Sequence, residues 1–424
     1  MPEHPARTWL THAAGVALVI GLASAPIAAG TGEKGDKQHA HQTFKDRELT
    51  RERLGELIEE YRATLGAELR SLAATAMRRM DREYEEYQQT GQLPVRDILI
   101  ISGGGAKGAF GAGILEAWGE VRKGPLTRPE FDVVTGVSTG ALIAPYAFIG
   151  SSQSYADIAR FYATPEANLI KKRGTLFFLP GNVSLYDNRN LQDFIHEQID
   201  GAVLRGIAKG SAEDRLLLIG ATNLDLGIGQ VFDVGREARR AIEIRSPNRV
   251  HSILLASAAI PGMFPPIELD GLYYADGGIS SQVFTLTMLH HGDNPVGHWR
   301  AEHPGAMAPK LRFWVIVNET LSLDLDVTQP RWTAITARSL RMLMRSGMLS
   351  ALRDIEELAS NTRELGLEAE FRFVAIPEDA PSRTGGAMFD LDYMNQLAEI
   401  GRRMGRDSSS WQTQCPDTHW LSQW

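Results

Sequence analysis

The sequence predicts an α/β fold with a mainly parallel central sheet. Short apolar runs at 97–102, 131–137, 216–221, 311–317 and 371–376 alternate with helix-like stretches. The first two runs each break into a glycine-rich turn followed by helical sequence, and such a domain places its site at the carboxyl ends of its strands.

The run from Asp97 to Ser102 contains four consecutive branched aliphatics, a pattern for a strand buried on both faces. Gly103, Gly104 and Gly105 end it, and a helix is predicted to start near Ala106 to Gly108. Its first amides, together with the bare glycine backbone, form a cradle for negative charge. The run Phe131–Val137 leads into Gly136-Val137-Ser138-Thr139-Gly140, which fits G-x-S-x-G. In that elbow the serine stands exposed on a strained strand-to-helix turn, and small residues two before and two after it let strand and helix approach.

Gly103-x-Gly105-x-x-Gly108 also fits the dinucleotide fingerprint. That motif wants an acid at the end of the second strand; here the strand ends in Thr135 to Ser138, and Asp132 lies at its beginning. A phosphate-binding loop of the G-x-x-x-x-G-K-[ST] kind would need Lys and then Ser or Thr after its last glycine, where Ala109-Phe110 stand. The glycines are therefore read as an oxyanion hole made by Gly103, Gly104, Gly105, Ala106, Lys107 and Gly108.

The 424 residues suffice for one large domain with extensions, and a net charge of −8 argues against nucleic acid as a partner. The single cysteine, Cys415, rules out an intramolecular disulfide. No metal or cofactor is called for. Arg7 precedes the uncharged stretch 13–30, which predicts an exported protein or, as second choice, one held at the membrane by an uncleaved anchor. At 18 residues it is marginal for spanning a bilayer.

Residues 31–45 read as a polar linker. From Asp46 to Gln89 apolar residues recur at helical period without a proline, predicting a long N-terminal amphipathic helix, or two; 31–95 is thus linker plus helix. Its 11 acidic and 8 basic side chains suit a helix packed on the domain, or self-associating with a second copy, better than one lying on lipid. Ile170–Pro180 sets a basic triplet beside Leu-Phe-Phe-Leu, a pattern of core under a loop or of contact with a membrane surface. Residues 188–208 read as one helix and 253–266 as a small-residue helix stopped by prolines. Ile267–Tyr274 reads as a hairpin around Asp270-Gly271, leading to Asp276-Gly277-Gly278. Residues 286–309 read as loop, 333–365 and 391–404 as helices, and 408–424 as a tail without periodicity.

A serine hydroxyl needs a base to become a nucleophile. By chain order a histidine of a triad is available in His290, His291, His298, His303 or His419, and a carboxylate acting alone is the other choice. Residues alone leave both open.

The motifs SGGGAKGAFGAG, GVSTG, ASAAIPGMFPP and ADGG, in this order and spacing, resemble the patatin-like phospholipase family. The likeness spans about 97–280, within a catalytic domain drawn at 96–407. It implies a three-layer α/β/α fold and a serine lipid acyl hydrolase acting on acyl esters without a cofactor. It also implies a Ser–Asp dyad: Ser138 the nucleophile, Asp276 the base with Gly277 and Gly278 completing its motif, Gly136 and Gly140 shaping the elbow, and the glycine loop the oxyanion hole. Ser102 and Lys107 depart from the family, where many members carry Asp and Arg. A histidine-dependent esterase and a non-catalytic membrane-anchored scaffold are the competing expectations.

Overall fold

The computed structural model describes residues 51–163, 171–172, 184, 186–281, 299, 301–303, 306–322, 327–364, 367–382 and 389–416. Their elements belong to the unit Phe44–Trp424. The export or anchor stretch 13–30 and the linker 31–45 lie outside the described residues, as does most of 170–180 and of 286–309. Among the described residues no helix is long and apolar enough to cross a membrane.

The first run becomes β1 (Val95–Ile101) and the second β2 (Val133–Val137), joined through α2 (Gly108–Trp118). Next come α3 (Thr139–Ile149), α4 (Ser152–Ala163), a two-stranded pair β3 (Lys171–Lys172) and β4 (Tyr186–Asp187), α5 (Arg189–Gln198) and α6 (Gly201–Ala212). Then follow β5 (Leu216–Asn223), β6 (Ile228–Asp233), α7 (Val234–Glu243), α8 (Asn248–Ser257), β7 (Ile267–Leu269) and β8 (Leu272–Asp276). The chain closes with β9 (Lys310–Thr320), α9 (Trp332–Glu364), β10 (Ala369–Ile376) and α10 (Leu391–Arg406), while α1 (Arg51–Thr90) precedes them all.

Strands β10, β9, β1, β2 and β5 pair in that order, all parallel. Because β2 lies on one side of β1 and β9 on the other, β1 is the point where the winding reverses. A crevice opens at the carboxyl ends of the strands at such a point, and the glycine loop leaves β1 there.

Alternation along β1 divides its side chains between two cores. Leu99 and Ile101 face the cluster that includes Phe110, Ile143 and Ile253, while Ile98 and Ile100 face Leu72, Met348, Leu352 and Ile355. The second face is thus covered by α1 and α9, giving the expected three-layer α/β/α fold with its mainly parallel sheet. The long N-terminal helix spends its apolar stripe on its own domain: Leu57, Leu72 and Met80 are buried. Its polar face is tied down as well, through Arg79 to Asp132, Glu83 to Arg96 at 2.8 Å, Arg78 to Asp214 at 2.9 Å and Glu68 to Arg236 at 2.6 Å. Asp132, at the amino end of β2, also accepts the Asp97 N–H at 2.8 Å, so it serves the edge of the sheet opposite Ser138.

Three elements differ from expectation. Residues 188–208 are two helices: Ile199 leaves helical geometry, and Asp200 caps a new start by accepting from the N–H groups of Ala202 and Val203. The helix expected at 253–266 begins earlier and ends at Ser257, followed by turns carrying Pro261 and Pro265. Helix α7 was not anticipated, because its buried stripe of Val234, Ala238 and Ala241 is short and small among charged residues. Past Asp407, Trp411 packs against Trp118 with ring centres 4.4 Å apart, so part of the segment read as a tail completes the core.

Leu352→Ala removes a side chain only 1% exposed and is expected to cost about 2–5 kcal/mol in urea unfolding. Leu343→Ala, on the same helix but 71% exposed, is expected to change stability by no more than about 0.5 kcal/mol.

Candidate active site

The site is assembled by the two edges of β5. Hairpin partner β6 occupies one edge from Leu218 to Asn223. The other edge is shared: β2 runs along it as far as Val137 opposite Gly220, and β8 continues it in the opposite direction with Asp276 opposite Ala221. The chain thus places the first residue after β2, Ser138, beside the last residue of β8, Asp276. Closeness is built in at the seam, where a Cβ on Gly277 would meet the Gly220 carbonyl oxygen at 2.5 Å.

Ser138 caps α3 with φ 55° and ψ −123°, a conformation that costs a non-glycine residue on the order of 1–3 kcal/mol. The elbow is held by its surroundings. The Ser138 N–H donates to Ser257 Oγ at 3.0 Å, and that hydroxyl donates to the Gly220 carbonyl at 2.6 Å. A Cβ on Gly140 would lie 2.3 Å from the Ile101 carbonyl oxygen, and one on Gly136 would lie 2.3 Å from that of Gly140, so neither place admits a side chain.

Asp276 is fully buried. Its Oδ1 accepts the Gly278 N–H at 2.8 Å, and its backbone is pinned by an N–H bond to the Ala259 carbonyl at 2.9 Å and by the Thr222 hydroxyl on its carbonyl at 2.9 Å. Burial pushes its carboxyl up to about 6, against the smaller stabilisation of the charged form by the Ser138 hydroxyl and the Gly278 amide. No cation is among the groups acting on it. The Ser138 hydroxyl is close enough to favour the carboxylate but does not complete a well-formed hydrogen bond, since Oδ2 is buried without a partner.

The glycine loop reaches the same cleft as Ser138. Gly104, at φ 153°, passes so near β9 that a Cβ would sit 2.4 Å from the Asn318 carbonyl oxygen. Gly105 to Lys107 form a single 3-10 turn whose first internal donor is the Lys107 N–H, so the amides of Gly105 and Ala106 have no acceptor within it. Gly105, Ser138 and Thr139 line one cleft, and Gly108 opens α2 against Thr139. Gly103 supplies its carbonyl to the Ser102 hydroxyl at 2.9 Å. The Lys107 side chain pairs with Glu319 and is not among the residues lining the cleft.

Sequence reading missed the residues that brace this arrangement. Asn318 donates its N–H to Ser102 Oγ at 2.9 Å and its amide to the Ser102 carbonyl at 3.0 Å, and it accepts from the Gly111 N–H at 3.0 Å. A serine at 102 therefore serves as the joint between the glycine loop and β9. Asn318 directly follows the apolar run 311–317 and Ser257 sits in a small-residue helix; a lone polar residue in each setting was the available signal. Nothing in the sequence marked Phe161, Phe194, Phe264 or Met394, which with Leu142 and Leu191 give the cleft, partly open to solvent, its apolar walls.

Described histidines are engaged elsewhere. His251 bonds the Ile199 carbonyl at 2.8 Å and stands beside His196, and His303 stacks on Trp299. His290, His291, His298 and His419 lie outside the described residues. Among the described residues no group of three or more metal-ligating side chains occurs.

Fold and site together define the class: an α/β domain presenting an elbow serine, with a buried carboxylate beside it, at the carboxyl edge of its sheet. Residues 99–289 match the patatin-like phospholipase model, the family that the motifs resemble. A Pseudomonas aeruginosa protein described as a cGAMP-activated phospholipase is 26% identical over 208 residues, 47% of this chain and 57% of that protein. The chain thus spans little more than half of that relative's length. The crystal structure of VipD from Legionella pneumophila aligns with 76% of this chain and 68% of that one, at a TM-score of 0.36 and 13% identity.

Two outcomes follow from the site's physics. Ser257→Ala strips the Ser138 N–H and the Gly220 carbonyl of a shared partner, and is expected to cost about 1–3 kcal/mol in chemical denaturation. Asp276 has a folded-state pKa above its unfolded value of 3.8, so the folded chain binds the additional proton and loses relative stability as pH rises from 3.8 to about 6. Asp276→Asn removes that penalty, and its melting temperature relative to wild type should rise between acid pH and pH about 8, above both pKa values. A variant that instead loses ground as pH rises would show the carboxylate to be stabilised by its surroundings.

Proposed function

We propose that this protein is a serine lipid acyl hydrolase that cleaves carboxylic esters through Ser138 and Asp276. The observation that carries the reading is the unpartnered Oδ2 of a fully buried Asp276 beside a serine on a strained elbow. A free aspartate is a weak base at neutral pH, and burial without a neighbouring cation moves this one toward the useful range.

In this mechanism Asp276 takes the hydroxyl proton as Ser138 Oγ attacks the ester carbonyl carbon. The carbonyl oxygen, now negative, is met by amides of the glycine loop, where one donor is typically worth about 10²–10³ in rate. Collapse of the intermediate expels the alcohol, which takes the proton back from Asp276, and leaves an acyl-serine. Water then gives a proton to Asp276 while its oxygen attacks the acyl carbon. When that second intermediate collapses, the fatty acid departs and the proton returns to Ser138. The apolar walls of the cleft suit the acyl chain, and the family match points to lipids as the ester class. The apolar stretch 13–30 supports placing the enzyme outside the cytoplasm or at a membrane.

Ser138→Ala and Asp276→Asn are each expected to lower kcat/KM for an acyl ester by at least about 10³-fold, in line with removing a nucleophile or its base. Single substitutions of His290, His291, His298, His303 and His419 should leave it within about threefold, a barrier change well under 1 kcal/mol. Abolition by one of them would return the chain to the histidine-dependent esterases, and a wild-type protein inert to a fluorophosphonate probe would make it a scaffold. The free enzyme's kcat/KM should fall on the acid side through a single ionisation at about 6, because the base must be unprotonated to act.

A further inference from the structure

The loop whose amides meet the oxyanion cannot stiffen itself. Gly103, Gly104 and Gly105 are consecutive residues without the Cβ that restricts φ and ψ elsewhere, and Gly104 and Gly105 turn at φ 153° and 57°. A hydrogen-bond donor serves a transition state best when it already points at the developing charge, held to within about 0.5 Å. Rigidity at this loop therefore has to come from outside it.

One side chain grips the loop at both ends. Asn318, fully buried at the carboxyl end of β9, donates its side-chain amide to the carbonyl of Ser102, the last residue before the glycines, at 3.0 Å. Its Oδ1 accepts the N–H of Gly111, in the first turn of α2, at 3.0 Å. Residues 103–110 lie between these two bonds. The Asn318 backbone takes up the near side of the loop. Its N–H donates to Ser102 Oγ at 2.9 Å, and that hydroxyl donates to the Gly103 carbonyl at 2.9 Å. Gly104 then crosses so closely that a Cβ there would lie 2.4 Å from the Asn318 carbonyl oxygen and 2.8 Å from the Asn318 Cβ. The next residue, Glu319, pairs with Lys107 of the loop. The strand end is itself held, since Arg345 of α9 bonds the carbonyls of Thr320, Leu321 and Ser322.

The chemistry of the two contacts selects the residue type. The Ser102 carbonyl needs a donor and the Gly111 N–H needs an acceptor, and asparagine carries both on one short planar group. Aspartate sets a carboxylate oxygen against the Ser102 carbonyl, alanine reaches neither partner, and glutamine carries the same pair on an arm one methylene longer.

We infer that Asn318 is a positioning residue for acyl transfer: by fixing both ends of the glycine loop it holds the Gly105 and Ala106 amides where the negative oxygen forms. Asn318 is not among the residues lining the cleft and acts through the loop. The inference rests on the ester chemistry proposed for Ser138 and Asp276.

The test compares an oxoester with the thionoester of the same acyl chain and alcohol, whose sulfur accepts hydrogen bonds poorly and so gains little from the loop amides. Full-length wild type, Asn318→Ala and Asn318→Asp are assayed, with rates expressed per site titrated by a fluorophosphonate. Both variants are expected to lower kcat for the oxoester at least about 30-fold, short of the 10²–10³ of a donor removed outright, with KM within about threefold. The thionoester rate should fall no more than about threefold, so the preference for the oxoester drops at least about tenfold. That preference does not depend on how much of the chain is folded, so lost stability alone leaves it at the wild-type value. Asn318→Asp is near-isosteric, keeps the acceptor for Gly111 and lacks the donor for Ser102, and it carries the test if Asn318→Ala does not fold. An unchanged preference, with both esters slowed equally or neither slowed, would overturn the inference. Failure of the Ser138 reading looks different: wild type would hydrolyse neither ester, or Ser138→Ala would match wild type, and the role of Asn318 would fall with it.

Discussion

Everything at the candidate site depends on one edge of one strand. β5 is bordered by β6 on one side, which leaves a single edge to be divided between β2 and β8, and the division falls between Gly220 and Ala221. Ser138 and Asp276 are 138 positions apart in sequence, yet they meet because each stands at the end of a strand that reaches that boundary. The small residues around it follow from the same constraint. With backbones in near contact at Gly136, Gly140 and Gly277, side chains would force the strands apart and separate the pair.

The electrostatics follow from the packing. A carboxylate placed where three backbone segments converge cannot keep water around it, and no cation is provided in compensation. Its charge is stabilised only by an amide and a hydroxyl against the larger effect of burial, so it holds a proton far more readily than an exposed aspartate. The same burial that destabilises its charged form makes it a competent base, a cost in stability accepted at one position and met by the two cores on either side of the sheet.

The long helices divide a second set of tasks. α1 buries Leu72 in the core it shares with α9 and Leu57 in the other core, and ion pairs hold it to the amino-terminal edge of the sheet, so it acts as a structural brace. α9 packs Met348, Leu352, Ile355 and Ala359 of its second half on the core that holds Ile98 and Ile100, and its first half carries exposed Trp332, Ile335 and Leu343.

Much of this was legible in the residues. Branched runs closed by glycines have few structural solutions besides buried parallel strands, and G-x-S-x-G after such a run fixes the elbow locally, because backbone sterics at Ser138 and Gly140 are near neighbours in sequence. The Asp-Gly pair at 270–271 likewise announced the hairpin that ends in Asp276. The split at Asp200 was written only in a capping residue, and α7 in three small side chains, so periodicity passed over both. What tertiary structure alone decided is the company each residue keeps: that Ser257 holds the elbow, that Asn318 ties the glycine loop to β9, that Asp276 is sealed from water beside Ser138, and that aromatic side chains from separate helices form one apolar cleft. Such contacts join residues up to a few hundred positions apart, and their registers are set by strand pairing, which no local pattern in a single sequence encodes.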